Sequence, residues 1–229
     1  MITHPRTWMP ENLVSLYDQW RFEAKATVGR FFARKLYRFV SHEYLQLGCG
    51  EHRFDGFLNT DCFLNKKVDL NIDLRFPLPL ESGQWKGIYT HHVVEHISYE
   101  HAQKLFRECF RILKPGGILR VSVPDAELFL RLYTHPDPEQ RKQIFQLYPK
   151  WFMDEVQFRH PMEMVNCVFR DSKFNQHLFA WDFETLEFRL REAGFNVTRA
   201  KAGESADGML SGKDDMGWAQ FSLYVDAIK

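Results

Sequence analysis

The run ILRVSVPD at residues 118–125 constrains the fold of this chain more than any other segment. It is almost continuously rich in β-forming residues, which is typical of a strand buried on both faces. The preceding segment, HAQKLFRECFRILKPGG at residues 101–117, repeats apolar residues at helical spacing and ends in Pro-Gly-Gly, which predicts a helix that stops there. A doubly covered strand preceded by such a helix favours an α/β fold with a parallel sheet.

The same alternation of strands and helices continues along the chain. Strands are also predicted in YLQLGCG at 44–50, GFLNTDC at 56–62, WKGIYTHH at 85–92, NVTRAKA at 196–202 and WAQFSLYVDAIK at 218–229. Another helix is predicted in WDFETLEFRLREAGF at 181–195, with Asp182 as its N-cap and Gly194 at its end. We therefore predict a single domain over residues 1–229, with an N-terminal helix at 11–40 and a helical insert, or lid, at 126–180.

The composition excludes several classes of protein. The 229 residues include 30 basic and 30 acidic side chains, so no net field would attract nucleic acid. The four cysteines form no C-x-x-C pair, which argues against a zinc knuckle or a disulfide framework and fits a reducing, cytoplasmic setting. The opening residues MITHPRTWMP hold no apolar stretch typical of a secretion signal, and no apolar run reaches membrane-spanning length.

The predicted helix at residues 11–40 is both basic and amphipathic. Such a helix can lie on a membrane surface, so peripheral membrane contact is one interpretation. At about 100° per residue, only Arg30 and Arg34 fall opposite the apolar face, while Arg21, Lys25 and Arg38 fall within it or at its edge. This distribution favours a helix packed over the domain, with its basic side-chain ends reaching water.

A glycine turn follows the first predicted strand. Gly48 and Gly50 allow a sharp turn and a close approach of a ligand to the backbone. Arg53 stands where a third glycine would complete a dinucleotide fingerprint, so that fingerprint is not satisfied. Asp61, at the end of the second predicted strand, could accept both ribose hydroxyls of a nucleotide, and Asp73 could reach an adenine edge. Each carboxylate taken alone is equally consistent with an ordinary loop.

Taken in order, the segments LQLGCG, NTD, DLRFPLP, IYTHHVVEHIS, ECFRILKPGGILRVSVPD and LREAGF resemble the class I S-adenosylmethionine-dependent methyltransferases. Within that family the chain most resembles a bacterial subgroup associated with polysaccharide and lipopolysaccharide biosynthesis, over residues 42–125 and 181–229. The resemblance implies a Rossmann-like α/β fold, whose mostly parallel seven-stranded sheet has an antiparallel last strand. It also implies S-adenosylmethionine as the cofactor.

The resemblance further implies which residues hold this cofactor. The positions that match the family's binding residues are Gly48, Cys49, Gly50, Asp61, Cys62, Asp73, Leu74 and His91. In the family, the glycine turn cradles the methionine part, the acid at Asp61 binds ribose, Asp73 and Leu74 flank adenine, and the strand end at His91 approaches the methionyl amine. Only ten residues separate Gly50 from Asp61, so the family's first helix must be reduced here to about one turn.

The stretch IYTHHVVEHIS at residues 88–98 presents His92, Glu95 and His96 as H-x-x-E-H, a zinc-peptidase signature. A strand runs directly into this motif and no further ligand motif stands out, so a peptidase is disfavoured. Some ubiquinone-pathway O-methyltransferases carry E-x-x-E-H here and bind a divalent cation. Because His92 replaces the first glutamate, we expect activity without added metal and predict no metal ligand. Glu95 and His96 could instead simply cap and orient the next helix.

A hydroxyl acceptor loses its proton as it is methylated, and a neutral histidine is a suitable base near neutral pH. The predicted catalytic residues are His92 and His96, at the strand end where ligands of open α/β sheets bind, and His177 in the insert. Asp125 and His160 are further candidates, each equally consistent with a structural role.

The insert is rich in aromatic residues interspersed with arginine and histidine. Aromatic faces stack on sugar rings and arginines pair with phosphates, so the predicted acceptor is a saccharide, a sugar nucleotide or another phosphorylated glycan. A helical cover over the site would explain the same residues without a sugar. We therefore predict a methyltransferase of saccharide hydroxyls. The alternatives are O- or N-methylation of another small metabolite, and a non-catalytic cofactor-binding scaffold in glycan assembly.

Overall fold

The computed structural model describes residues 20, 23–24, 26–28, 42–62, 68–148, 150, 153–154, 157–170 and 177–229. Its centre is one seven-stranded sheet. The strands are β1 (Tyr44–Leu47), β2 (Phe57–Asp61), β3 (Leu70–Asn71), β4 (Trp85–His91), β5 (Leu113–Pro124), β6 (Asn196–Ala200) and β7 (Ser222–Ile228). They lie side by side in the order β3-β2-β1-β4-β5-β7-β6.

The pairings among β1 to β5 are all parallel, and β7 runs antiparallel to both β5 and β6. The predicted Rossmann-like sheet, mostly parallel with an antiparallel last strand, is therefore confirmed. The central strands β1, β4 and β5 are largely buried, which is why their sequences form nearly continuous apolar runs. Strand order reverses between β1 and β4, and open α/β sheets bind ligands at the carboxyl ends of the strands beside such a reversal.

Several helices accompany this sheet in the described part of the chain. The α-helices are α1 (Tyr99–Ile112), α2 (Ala126–Tyr133), α3 (Pro138–Arg141), α4 (Pro161–Arg170) and α5 (Phe183–Glu192), with short 3-10 turns at Val94–His96, Lys142–Gln146 and Met216–Trp218. The predicted cap of α5 is confirmed, since the Asp182 carboxylate accepts a hydrogen bond from Thr185 N at 2.8 Å. The predicted shortening before β2 is also confirmed, because residues 50–56 form turns and contain no helix.

Three strands differ from the expectation drawn from sequence. β3 has only two residues, too few to leave a periodic pattern, and the residue pattern does not predict it. β5 begins at Leu113 because α1 ends at Ile112 and the chain is already extended through Pro-Gly-Gly. The last strand begins at Ser222, since Trp218, its expected start, lies in a 3-10 turn.

The insert at residues 126–180 is helical in its described part, as predicted. It leaves the sheet and returns to it at one point, where Asp125 and Trp181 form an isolated parallel bridge. Its helices share a small apolar core of their own, and Tyr148 of the insert stacks on Phe221 just before β7, with ring centroids 4.3 Å apart. The insert therefore lies at the carboxyl end of β5.

The predicted helix at residues 11–40 lies mostly outside the described residues. Its described positions 20, 23–24 and 26–28 are helical, and Ala26 is buried. Among the residues that the structure describes, no helix combines the length and the apolar character needed to cross a membrane.

A buried arginine fastens the long loop between β6 and β7 to the sheet. The guanidinium of Arg120 on β5 donates to Asp214 at 2.5 Å, to Asp226 at 3.1 Å and to the Lys201 carbonyl at 2.7 Å. The side chain of Arg120 is 0% exposed, and those of Asp214 and Asp226 are 1% and 6% exposed. The loop is therefore held by a desolvated ion triad and not by apolar packing alone.

Candidate functional site

The glycine turn after β1 is the first part of the candidate site. Gly48 has a φ of +68° and Gly50 a φ of +52°, a region that residues with a side chain rarely adopt. A Cβ at Gly48 would lie 2.4 Å from a Val93 methyl group, whereas a Cβ at Gly50 would meet open space. Packing against Val93 therefore excludes a side chain at Gly48. At Gly50 the backbone angle favours glycine, and the open space there has room for a ligand.

Asp61 at the end of β2 is joined to this turn. Its carboxylate accepts a hydrogen bond from Gly50 N at 2.9 Å, so the ribose candidate and the glycine turn form one unit. The neighbouring thiols of Cys49 and Cys62 are not suited to act as nucleophiles. Burial and then the charge of Asp61 raise the pKa of Cys49 to about 11, and the same two causes raise the pKa of Cys62 still further. Both thiols therefore stay protonated at neutral pH.

Asp73 and Leu74, the predicted adenine neighbours, lie in the loop that follows β3. Both carboxylate oxygens of Asp73 accept hydrogen bonds from Arg75, at 2.9 Å and 2.8 Å. Arg75 also pairs with Glu23, at 2.5 Å, which links this loop to the N-terminal segment. The Asp73 side chain is therefore occupied by Arg75, and Leu74 packs in the main apolar core.

His91 closes β4 beside the glycine turn. Its Nδ1 makes a short hydrogen bond with the Ser122 hydroxyl on β5. Burial, followed by the nearby charge of His92, lowers the pKa of His91 to about 4, so its ring is neutral at neutral pH. Within the described residues its Nε2 is buried and has no hydrogen-bond partner, which leaves one polar atom at the carboxyl end of β4 for a ligand group.

His92 adopts a φ of +51°, a strained angle for a residue with a side chain, where β4 gives way to the following turn. Its Nε2 lies 2.7 Å from the Ser222 hydroxyl, and that hydroxyl donates its only proton to the Trp218 carbonyl at 2.7 Å. Nε2 of His92 must therefore be the donor to Ser222. Its Nδ1 faces a Glu95 oxygen at 3.3 Å.

The rings of Trp218 and Phe221 complete this environment, with centroids 5.7 Å and 5.6 Å from His92. Nε2 of His92 is thus bound to Ser222, Nδ1 lies next to the Glu95 carboxylate, and aromatic rings cover the imidazole. The sequence-based expectation that His92 accepts the proton of the acceptor hydroxyl fits this arrangement poorly. A role in holding Glu95 fits it better.

Glu95, His96 and His177 come together beside His92. One potential ligand atom of each residue lies within 4.8 Å of the others. The rings of His96 and His177 meet edge to face, with centroids 4.8 Å apart. The Glu95 backbone carbonyl accepts hydrogen bonds from Leu178 N at 2.7 Å and Phe179 N at 3.3 Å, so the end of the insert is fastened to the turn that carries Glu95.

The zinc-peptidase interpretation fails on geometry. His92 directly follows the end of β4. Glu95 and His96 lie in a 3-10 turn that ends before α1 begins at Tyr99, so no single helix carries the motif. The other candidates have structural contacts. Asp125 caps α2 through Leu128 N at 3.2 Å and pairs with Arg199 at 3.2 Å, and His160 is exposed at the start of α4.

The insert and the β6–β7 loop border a surface cavity of about 530 Å³ next to Trp218. Phe145, Tyr148 and Lys150 line one side of it, and Met216 and Gln220 line the other. Aromatic side chains, a cation and an amide therefore line this cavity. Other aromatic residues predicted for an acceptor pocket have a different place, since Phe179 and Trp181 pack into the main core with Tyr99.

The described residues fit S-adenosylmethionine at the carboxyl ends of β1, β2 and β4. Open space above Gly50, the carboxylate of Asp61 and the unpartnered Nε2 of His91 are three features that a bound ligand would explain. Two neighbours of His92 were not predicted from the sequence. Ser222 and Trp218 reach His92 only because β7 is inserted next to β5.

A family model described as a methyltransferase domain matches residues 17–200. Among solved structures, the chain is similar to an S-adenosylmethionine-dependent methyltransferase from Archaeoglobus fulgidus, at 14% identity and a TM-score of 0.47 over 94% of this chain and 99% of that one. It is also similar to one from Mesorhizobium loti, at 16% identity and a TM-score of 0.44 over 85% and 96%. These likenesses are too low to indicate a shared substrate. No curated protein matches the chain.

Proposed function

We propose, from the premise that this chain belongs to the methyltransferase domain family and uses S-adenosylmethionine, that it methylates a hydroxyl group of a saccharide. The observation that carries the proposal is the glycine turn tied to Asp61, taken together with the histidine cluster that follows β4 and a cavity bordered by the insert. Cofactor and acceptor sites then adjoin at the carboxyl end of β4, as a group transfer requires.

The acceptor class is inferred from the lining of the cavity. Phe145 is half-buried and offers an aromatic face of the kind that sugars stack on, and Gln220 offers an amide that can pair with hydroxyls. Lys150 adds a positive charge that suits a phosphate, as in a sugar nucleotide. The mixture of aromatic, amide and cationic groups supports a saccharide, free or phosphorylated, better than a purely apolar acceptor.

The residues of the chain then have distinct roles. The bound cofactor supplies an activated methyl group on a sulfonium. We expect the glycine turn and Asp61 to hold it and His91 to meet its methionine part. His96 and His177 are the catalytic residues of this proposal, since their rings meet at the acceptor side. His92 is assigned as a positioning residue, because it holds Glu95 and Ser222 with its two nitrogens.

The function is tested by incubating the purified full-length protein with cofactor carrying a labelled methyl group. Acceptor panels of sugar nucleotides, oligosaccharides and amines are compared. We expect label in a saccharide as a methyl ether, which survives mild alkali, whereas a methyl ester does not. Transfer only to amines would favour N-methylation of another metabolite. Cofactor binding without transfer to any panel, or to a cell extract, would favour the non-catalytic scaffold.

Asp61→Ala is expected to weaken cofactor binding by about 1–3 kcal/mol, because it removes a charged acceptor of the ribose hydroxyls and the anchor of Gly50. Isothermal titration calorimetry with S-adenosylmethionine measures the loss. Asp55→Ala is the matched control, since Asp55 is an exposed carboxylate in the same connection. Equal affinities in folded Asp61→Ala and in the unmodified protein would remove Asp61 from the cofactor site.

His92→Ala is expected to lower the turnover number by about 10–100-fold, typical of a residue that orients a functional group, while cofactor affinity stays within about twofold. His92→Asn, which tolerates a positive φ and keeps a side-chain donor, should recover part of the turnover. Turnover, cofactor affinity and melting temperature are measured on both variants. If His92 were the base, His92→Ala would lose about 10²–10⁴-fold without any recovery by Asn.

A further inference from the structure

Glu95 is a buried carboxylate whose two oxygens have no hydrogen-bond partner among the described residues. Its side chain is 1% exposed, yet neither oxygen receives a well-formed hydrogen bond from the described part of the chain. The nearest side-chain nitrogen, Nδ1 of His92, is 3.3 Å away. Glu95 is therefore a desolvated carboxyl group that lacks short hydrogen bonds.

Such a group is costly to bury unless it is paired or coordinates a metal. The two groups that face it on the other side are imidazoles. His96 follows Glu95 in the same 3-10 turn, and His177 arrives from the end of the insert, with potential ligand atoms of all three residues within 4.8 Å of one another. A carboxylate and two imidazoles converging in a largely buried place are a set of donors suited to a cation.

The second ring nitrogen of His177 is already fixed. Its Nδ1 lies 2.7 Å from the Val168 carbonyl, and a carbonyl only accepts, so Nδ1 carries the proton. In the neutral ring the lone pair then belongs to Nε2. A backbone carbonyl that holds one nitrogen of a histidine while the other is directed to a metal is the usual outer partner of a histidine ligand.

The backbone and His92 hold the remaining members. Leu178 N and Phe179 N donate to the Glu95 carbonyl, which fixes the chain next to His177 against the turn that carries the other two residues. His92, held by Ser222, lies against the Glu95 carboxylate and limits how it can rotate. Hydrogen bonds thus fix the positions of Glu95, His96 and His177 relative to one another, although His177 is distant in sequence from the other two.

We propose that Glu95, His96 and His177 bind one divalent transition-metal cation. Two imidazoles and one carboxylate suit Zn²⁺, Mn²⁺ or Fe²⁺, whereas Mg²⁺ prefers oxygen ligands alone. Three protein ligands leave coordination positions open, as in catalytic metal sites. Binding of the cation stands on the three side chains. Only its use, to bind the acceptor's hydroxyl oxygen and make that hydroxyl easier to deprotonate, rests on the proposed function.

This inference changes the expectation of metal independence. The sequence motif places His92 where an acidic ligand would be needed, and on that basis no metal is expected. The proposed third ligand is His177, which lies outside the motif, while His92 lies next to the Glu95 carboxylate. The missing acidic residue of the motif is therefore no obstacle to binding.

The test uses the full-length protein after treatment with a chelator and removal of the chelator. Zn²⁺ and Mn²⁺ are titrated separately by calorimetry, and Co²⁺ is added as a spectroscopic probe of histidine coordination. We expect one site per chain for Zn²⁺, visible absorption bands with Co²⁺, and a rise in melting temperature. Glu95→Gln and His177→Ala are each expected to weaken Zn²⁺ binding by about 100-fold or more. Loss of a residue that only supports a metal ligand lowers metal affinity by about 10–100-fold, and loss of a ligand should cost at least the upper value.

His52→Ala is the matched control, because His52 is exposed near the glycine turn and outside the cluster. Its Zn²⁺ affinity should equal that of the unmodified protein. Binding that is unchanged in Glu95→Gln and His177→Ala would indicate adventitious surface sites and overturn the proposal, as would no binding of either metal. Cofactor affinity is measured in the same samples without metal, so a failure of the cation site is distinguished from a failure of the cofactor site.

Discussion

Replacing Arg120 by leucine is expected to lower the free energy of unfolding by about 3–5 kcal/mol, the usual cost of removing one partner from a buried ion pair. The reason is what remains. Asp214 and Asp226 would stay in the interior without the guanidinium that neutralises them, and the Lys201 carbonyl would lose its donor. Leucine fills part of the volume but satisfies none of these oxygens.

The loss should be local in its first stage. Asp214 also accepts from Gly203 N at 2.8 Å and Asp226 from Ala206 N at 2.7 Å, so the β6–β7 loop is folded around these two carboxylates. Without Arg120 they repel each other, and the loop is expected to open before the sheet does. Because Trp218 lies near the end of this loop and its ring packs on His92, opening would also disturb the surroundings of His92.

Urea unfolding measures the change in stability, and limited proteolysis reports whether cleavage concentrates between residues 201 and 219. Arg191→Leu is the control, since Arg191 pairs with Glu187 on the exposed face of α5 with its side chain 51% exposed. Its loss should be within about 0.5 kcal/mol. An Arg120→Leu protein within about 1 kcal/mol of the unmodified one would show that the triad contributes little.

The sequence contained a signal for this triad. Arg120 interrupts ILRVSVPD, a run predicted to be buried on both faces, and a charge in such a strand needs a partner. Its partners could not be identified, because Asp226 becomes a neighbour only through the antiparallel pairing of β5 with β7. Asp214 reaches it from a loop whose polar residues indicate nothing more than a connection.

Local chemistry predicted the rest of the framework well. The glycines after β1, the strand that ends at Asp61 and the Asp182 cap each depend on a few consecutive residues, and each lies where its pattern predicts. The sequence-based interpretation was weaker where distant segments meet. Asp73 was predicted to reach an adenine edge, and the sequence did not indicate that Arg75, two residues later, would bind its carboxylate.

The histidine cluster shows the same limit. Glu95 and His96 are adjacent in a motif that the sequence singles out, whereas His177 reaches them only because the insert returns to the sheet beside them. His92 could be interpreted as a base as long as its neighbours were unknown. Its hydrogen bond to Ser222 depends on strand order, which no local pattern contains.

Gly48→Ala is expected to destabilise the protein by about 2–4 kcal/mol, and Gly50→Ala by only about 1–2 kcal/mol. Both positions have positive φ, so each alanine pays the strain of a left-handed backbone. They differ in space. The new methyl group at Gly48 would lie 2.4 Å from Val93, while at Gly50 it would meet nothing within 4 Å. The first substitution therefore adds overpacking in the core, and the second does not.

The order of the two variants should reverse for cofactor binding, with Gly50→Ala affected more than Gly48→Ala. The open space at Gly50 is where we propose that the methionine part of the cofactor approaches the backbone, so a methyl group there should weaken binding by about 10-fold or more, or about 1.4 kcal/mol. Gly48→Ala faces Val93 and not this space, so its folded fraction should bind nearly normally at low temperature. Chemical unfolding and calorimetry on the same samples give both quantities.

Val93→Ala supplies the decisive control, because it removes the methyl groups that a Cβ at Gly48 would meet. If overpacking is the cause, Gly48→Ala combined with Val93→Ala should be more stable than the sum of the two single losses predicts, by about 1 kcal/mol or more. Additive losses would mean that backbone strain alone makes Gly48 necessary. A Gly50→Ala protein with unchanged cofactor affinity would show that the ligand does not approach the turn at Gly50, and the cofactor would then have to be held mainly through Asp61 and the end of β4.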